Sequence, residues 1–489
     1  MKQKSLTKNA LFTIIKAFMN IIFPIISFPY ASRILLPEGT GRVNFANSFI
    51  EYFVMFAQLG IGWYAAREAA RVREDKHKLN KLCREILTIN LFSTLIAYIA
   101  LFISIFTIPK FSDYRLLIII CSAKVLFTTI GINWVFTAYE EFGYITARQT
   151  LFQIISLALL FLFVKTKDDY LIYAGIGVFA NVGSNIFNLI YARKFINVFE
   201  KTPLDLKKHL KPVLTFFGIS IAGRINIALD ALMLGFMLND TAVGFYSAAV
   251  KINRLVKEMI TSAISSFMPR SAFYLENNQI EEYKAVVSKV CDATFFFSVP
   301  AAFGMFFLSE PLIILFSGNL FLPAAPSMKI LAISLIGSCA NSFLGNLIIT
   351  PQRKEKFTLI AQIIAAASNI TLNAMLITRL EVFGAAIATT IVEFILPLML
   401  LFPSFKYLKS KANIIGIIQA FLGSLYMYAS IYFVCTPIQN NFLKILASVG
   451  IGSTVYALAE IILQNKTAKT ILSLLFKKLK IVPKKIEKK

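Results

Sequence analysis

"GISIAGRINIALDALMLGF", residues 218–236, is a run of apolar residues interrupted by two full charges, Arg224 and Asp230. A helix needs about 20 apolar residues to cross a bilayer, and a charge at mid-bilayer costs about 2.5–3.5 kcal/mol on insertion scales. Such residues are kept where they face a bundle interior or a water-filled cavity. The stretch therefore reads as a membrane helix with one polar face. The whole chain agrees: of 489 residues 57% are hydrophobic and 16% charged, with mean hydropathy +0.69, far more apolar than a soluble domain. The expected fold is an all-α membrane protein with about fourteen transmembrane helices, in runs from roughly 10–36 and 43–66 through 414–434 and 443–463. The first run is too long for a cleaved leader, carries Lys16 and lacks a small-residue cleavage pattern, so it reads as helix 1.

Charge gives orientation. Of the 50 Lys and Arg residues, 35 fall in segments on the N-terminal side of the membrane against 7 in the opposite connections, which by the positive-inside rule puts both termini in the cytoplasm. The net charge of +24 thus has a membrane explanation, and the tail "KKLKIVPKKIEKK" suits anionic lipid rather than nucleic acid. Cys83, Cys121, Cys291, Cys339 and Cys435 show no paired spacing, so neither a disulfide framework nor a metal site is expected, and no cofactor is implied. His77 and His209 lie in charged loops and read as solvated side chains. No nucleophile, metal or phosphate-loop constellation emerges, and the aqueous loops are too short for a catalytic domain, so the chain does not read as an enzyme.

Two stretches repeat a pattern. "GRVNFANSFIEYFVMFAQ" from Gly41 and "GFYSAAVKINRLVKEMIT" from Gly244 align so that Asn44, Ser48, Glu51, Met55 and Gln58 fall on Ser247, Lys251, Arg254, Glu258 and Thr261. Each set is one stripe on a helix. A second match joins "AYEEFGYITARQ" to "PQRKEKFTLIAQ" at a similar offset. The expected organisation is two six-helix lobes with pseudo-two-fold symmetry, residues 1–211 and 212–403, followed by two extra helices and a basic tail in 404–489.

Arg224 and Asp230 sit about 240° apart around a helix and cannot pair locally. Counting outward from the turn at "NDTA", Asp230 lies level with Lys251, a candidate partner, while Arg224 looks toward Arg254 and Lys257. Arg254 and Glu258 are spaced for an i,i+4 pair. Candidate cargo contacts are therefore Arg224, Lys251, Arg254 and Lys257, with Lys16 and Arg33 nearer the ends of helix 1. Asp230, Glu51 and Glu258 are candidates for pairing or ion coupling. Lys124 and Lys329 read as span-end residues without a role, and Glu393 and Glu460 as intramembrane carboxylates with no visible partner. Positive residues outnumber negative ones on these seams, which suits an anionic cargo, and arginine matches phosphate with a planar fork of donors.

Residues 28–86, above all "LGIGWYAAREAARVREDKHKL", together with "DALMLGFMLNDTAVGFYSAAVKI" at 230–252, resemble Wzx-type polysaccharide flippases of the multidrug/oligosaccharidyl-lipid/polysaccharide (MOP) exporter superfamily. The resemblance implies translocation of an undecaprenyl-pyrophosphate-linked oligosaccharide, an O-antigen or capsule repeat unit, from the cytoplasmic to the outer leaflet of a bacterial inner membrane. It implies alternating access through a central cationic cavity, with Arg224, Lys251 and Arg254 as candidate contacts for pyrophosphate or acidic sugars. Candidate partners are membrane lipid, Na+ or H+ as coupling ion, and a polysaccharide polymerase, with no nucleic acid. The competing readings are a cation-coupled multidrug antiporter on the same fold, against which the positive cavity argues, and a non-transporting scaffold, which has little use for aligned polar seams.

Overall fold

The computed structural model describes residues 6–197, 200, 203–408 and 410–478, with the side chains of residues 6, 7, 10, 219, 220, 222–227, 410–413 and 474–478 left out. Arg224, the first charge of the opening stretch, lies outside the described side chains. Regular structure among the described residues is entirely helical. The chain divides into two compact units, Met1–Ser247 and Ala248–Lys489.

The first unit holds α1 (Leu6–Gln58), α2 (Ile61–Val72), α3 (Lys76–Thr107), α4 (Arg115–Ile130), α5 (Asn133–Ala138), α6 (Phe142–Phe163), α7 (Tyr170–Val182), α8 (Ile186–Ala192), α9 (Lys207–Met237) and the start of α10 (Asp240–Ser265). The second holds the rest of α10, then α11 (Met268–Glu276), α12 (Ile280–Phe307), α13 (Ser309–Ser317), α14 (Ala325–Phe343), α15 (Glu355–Ser404), α16 (Ser410–Cys435), α17 (Asn441–Ile462) and α18 (Lys466–Lys478). Ten stretches among the described residues are long and apolar enough to cross a membrane. Two of them, Leu11–Val72 and Glu355–Tyr407, have 62 and 53 residues, room for two crossings each. α9 and α10, with 31 and 26 residues, are long enough as well. The layout is compatible with fourteen crossings.

Local chemistry explains where direction changes. α1 breaks at Leu36 (φ 62°, ψ 178°), directly before Pro37, whose ring disfavours helical geometry in the preceding residue. α15 breaks too, at Glu381 (φ 50°, ψ −130°), there before Val382 and not a proline. The run read as one span over 43–66 is two helices, because Leu59 and Gly60 both take positive φ and turn α2 away from α1. α2 is amphipathic: Tyr64, Ala65 and Ala69 are buried while Trp63 is 77% exposed. Asp75 accepts the Lys78 backbone N–H at 3.1 Å and starts α3, with the N-cap preference for a short acidic side chain.

One close approach fixes α1 against the start of α10. A Cβ at Gly41 would overlap the Asp240 carbonyl, and one at Gly244 would overlap the Pro37 carbonyl. Only glycine lets the two backbones meet at this depth.

His209 differs from its sequence reading. His209 is 3% exposed; its Nδ1 lies 2.7 Å from Tyr64 Oη and its Nε2 lies 2.9 Å from Glu85 Oε2. Glu85 also accepts from Lys208 Nζ and from the Asp205 backbone N–H, each at 2.9 Å. This buried network ties the start of α9 to α2 and α3, and burial without such partners would cost several kcal/mol. His77 is exposed and hydrogen-bonds Glu200 at 2.5 Å. Asn80 donates to the same carboxylate, and these contacts, Asn80 first, hold Glu200 below the usual carboxylate range.

Candidate functional site

Each unit carries a charged seam. In the first, Asn44, Ser48 and Glu51 follow one face of the second half of α1. Lys124 of α4 reaches this face: its Nζ donates to Asn47 Oδ1 at 2.7 Å and stands 3.7 Å from Glu51 Oε1. Lys124, read as a span-end residue, stands in the body of α4, its side chain 13% exposed, beside a Glu51 side chain that is 48% exposed. Met55, on the same stripe, is buried.

In the second unit the seam follows α10. Arg254 Nε donates to Glu258 Oε1 at 2.6 Å, the i,i+4 pair expected from spacing. Lys257 Nζ donates to Glu393 Oε1 of α15 at 2.8 Å, so Glu393 has the partner that the sequence did not reveal. Lys251 is half-buried. Asn253 donates to the Leu331 carbonyl of α14 and anchors the helix from behind. The two seams share a device, an ion pair to a neighbouring helix, with acid and base exchanged: Glu51 to Lys124 in one, Lys257 to Glu393 in the other.

Magnitudes decide what the seams are for. The side chains of Arg254 and Glu258 are 62% and 40% exposed, and exposed i,i+4 pairs contribute under about 1 kcal/mol. Placing an arginine in hydrocarbon costs about 2.5–3.5 kcal/mol. Facing lipid, both charges would have to be desolvated, a cost that pairing often fails to offset, so the seam suits a water-filled position.

One end of the first seam is latched. Arg42, less than one turn before Asn44, pairs with Glu38 at 3.2 Å and with Asp240 at 3.1 Å. Tyr114 donates its hydroxyl to Asp240, and Lys110 donates to the Gly235 carbonyl. Lys110 also lies over the rings of Phe45 and Phe236, at 5.3 and 5.8 Å. These contacts join α1, the 3₁₀ turn Pro109–Tyr114, and the α9–α10 turn.

The remaining sequence candidates are dispersed. Asp230 is 4% exposed and accepts the Tyr246 hydroxyl at 2.5 Å, a partner on its own hairpin. Arg33 is exposed. Lys16 is half-buried on the first half of α1, and its charged neighbour is Arg148 of α6. Sequence reasoning passed over Lys124, Arg148, Lys110 and Asp240. Lys124 had a signal, a lone base inside the apolar run "LLIIICSAKVLFTTI"; the others acquire meaning only from distant partners.

Comparison with known proteins fits this frame. Residues 6–274 match the family described as "Polysaccharide biosynthesis protein". The chain is 22% identical over 399 residues to a "Putative O-antigen transporter" of Shigella dysenteriae, covering 81% of this chain and 98% of that one. It is 23% identical over 279 residues to a protein of the same description from Escherichia coli strain K12, covering 57% of this chain and 67% of that one. Among solved structures, "Lipid II flippase MurJ, inward closed conformation" superposes with TM-score 0.75 at 18% identity, over 96% of this chain and 99% of that one, a likeness of fold. Multi-pass architecture, repeated charged seams and matched family lead to one assignment. The chain belongs to the polysaccharide biosynthesis protein family.

Proposed function

We propose that the protein flips a polyprenyl-pyrophosphate-linked oligosaccharide from the cytoplasmic to the outer leaflet of a bacterial inner membrane, with both termini cytoplasmic. The observation that carries this reading is the exposure of charged side chains, Glu51, Arg254 and Glu258, within helices that otherwise cross lipid. A pyrophosphate-sugar head cannot cross hydrocarbon bare, because desolvating its charge is too costly. It needs a wet, charged passage, while its lipid tail stays in the bilayer. Relatives described as O-antigen transporters and a structural neighbour described as a lipid II flippase support the cargo class.

In this reading the lobes of six helices, 1–211 and 212–403, alternate access, and the two extra helices after residue 404, α16 and α17, border the path of the tail. On the seams four basic residues, Lys124, Lys251, Arg254 and Lys257, stand against three acidic ones, Glu51, Glu258 and Glu393, so the seams keep an excess of positive charge. Pairing reduces the field but leaves donors in place, and an incoming phosphate can displace a carboxylate from Arg254 or Lys257. The test is a deletion strain. Loss of the protein should abolish surface polysaccharide and leave the lipid-linked unit in the inner leaflet, and wild type should restore both. Normal surface polymer in the deletion would overturn the assignment.

A further inference from the structure

Among the described residues Arg148 has no carboxylate ion-pair partner. Its guanidinium donates only to neutral acceptors: Nη1 to Asn188 Oδ1 and to the Ser184 carbonyl at 3.4 Å, and Nη2 to Asn133 Oδ1 at 3.2 Å. Its Nε is buried and has no hydrogen-bond partner. The charged neighbour, Lys16, has the same sign. Among the described residues no carboxylate stands among the groups acting on either charge. Two like charges in a membrane-spanning bundle without a counter-ion are costly.

Beside Arg148 opens a groove of about 450 Å³ between α6 and α8. Its walls are Leu151, Phe152, Phe187 and Ile190, and it is closed by Tyr144 and Tyr191, stacked with ring centroids 4.0 Å apart. Leu151, Phe187 and Ile190 are 55%, 49% and 61% exposed. The groove is apolar along its length, and Arg148 stands midway along its α6 wall. Arg148 lies about 9 Å along α6 from its start at Phe142.

We infer that this groove binds an anionic phospholipid, its phosphate on Arg148 and Lys16 and one acyl chain along Leu151, Phe152, Phe187 and Ile190. A phosphate supplies the negative charge that the Arg148–Lys16 pair lacks. A zwitterionic lipid brings its own cation and leaves that pair less compensated. A free phosphate meets the two charges and leaves the apolar walls open. The site stands apart from the transport reading and takes Lys16 from the cargo path to a resident lipid.

The test uses the full chain in vesicles, with Leu151→Trp as reporter read against the parent signal. Phosphatidylglycerol with brominated chains should half-quench the added fluorescence at a several-fold lower mole fraction than brominated phosphatidylcholine. Arg148→Gln and Lys16→Gln should each bring that ratio toward one, and Arg148→Lys should keep part of it. Should Arg148→Gln fail to insert, Lys16→Gln alone carries the test. Equal quenching by the two lipids in the reporter protein, or a preference that survives the substitutions, would overturn the site.

Discussion

At the scale of single residues, the seam depends on Lys124, which bridges α4 to Asn47 and Glu51. Lys124→Gln should insert normally yet lower surface polysaccharide several-fold, and Lys124→Arg should retain part; wild-type polymer in the Gln variant would remove Lys124 from the path. Outside the membrane, Glu200 gives a pH signature. Its carboxyl sits below the usual range because Asn80 and His77 hydrogen-bond the charged form. The sign follows from linkage: the contribution is present above the ordinary glutamate pKa of about 4.3 and is lost as pH falls through the lower folded value. Thermal stability should therefore drop as pH falls below about 4, and Glu200→Gln should flatten that dependence without changing its direction near neutrality. A loss of the same size in both proteins would contradict it. Sequence showed Arg254 with Glu258, where partners share a helix. It did not show Lys257 with Glu393, or Glu85 with His209, because those partners are far apart along the chain.

At the scale of elements, the backbone contact between α1 and α10 rests on Gly41 and Gly244. Gly244→Ala forces a methyl onto the Pro37 carbonyl, and overpacking of this kind costs about 1–3 kcal/mol. A lower melting temperature in detergent should follow, and an unchanged one would show that the helices can separate freely. The neighbouring latch of Glu38, Arg42, Tyr114 and Asp240 makes a separate prediction. Asp240→Asn weakens it, so a cysteine placed at Ser48 should react faster with a membrane-impermeant thiol reagent, whereas an unchanged rate would mean that the latch does not limit access. Hydropathy found the membrane runs because burial in lipid acts on every residue of a span. It fused α1 with α2 and α4 with α5, since nothing apolar changes at Leu59 or Ile132, where positive φ breaks the helices. α2 escaped because its alternating faces average to a modest hydropathy, although its exposed Trp63 suits a membrane interface.

At the scale of the whole molecule, composition alone was enough to give a polytopic membrane protein, and the repeated stripes on α1 and α10 led to the charged seams. What composition could not give is how those charges are held, since Glu51, Arg254 and Lys257 are each met by an opposite charge that moderates the positive field. The account therefore places the cargo's phosphates in competition with protein carboxylates. The measurement that tests this most directly is leaflet exposure of a labelled polyprenyl-pyrophosphate oligosaccharide in proteoliposomes, comparing wild type with Lys257→Gln and with an Arg254→Gln, Lys257→Gln double variant. The account predicts rapid exposure with wild type, slower exposure in the single variant and close to the protein-free rate in the double variant. Exposure no faster than in empty liposomes for wild type, or full activity in the double variant, would contradict it.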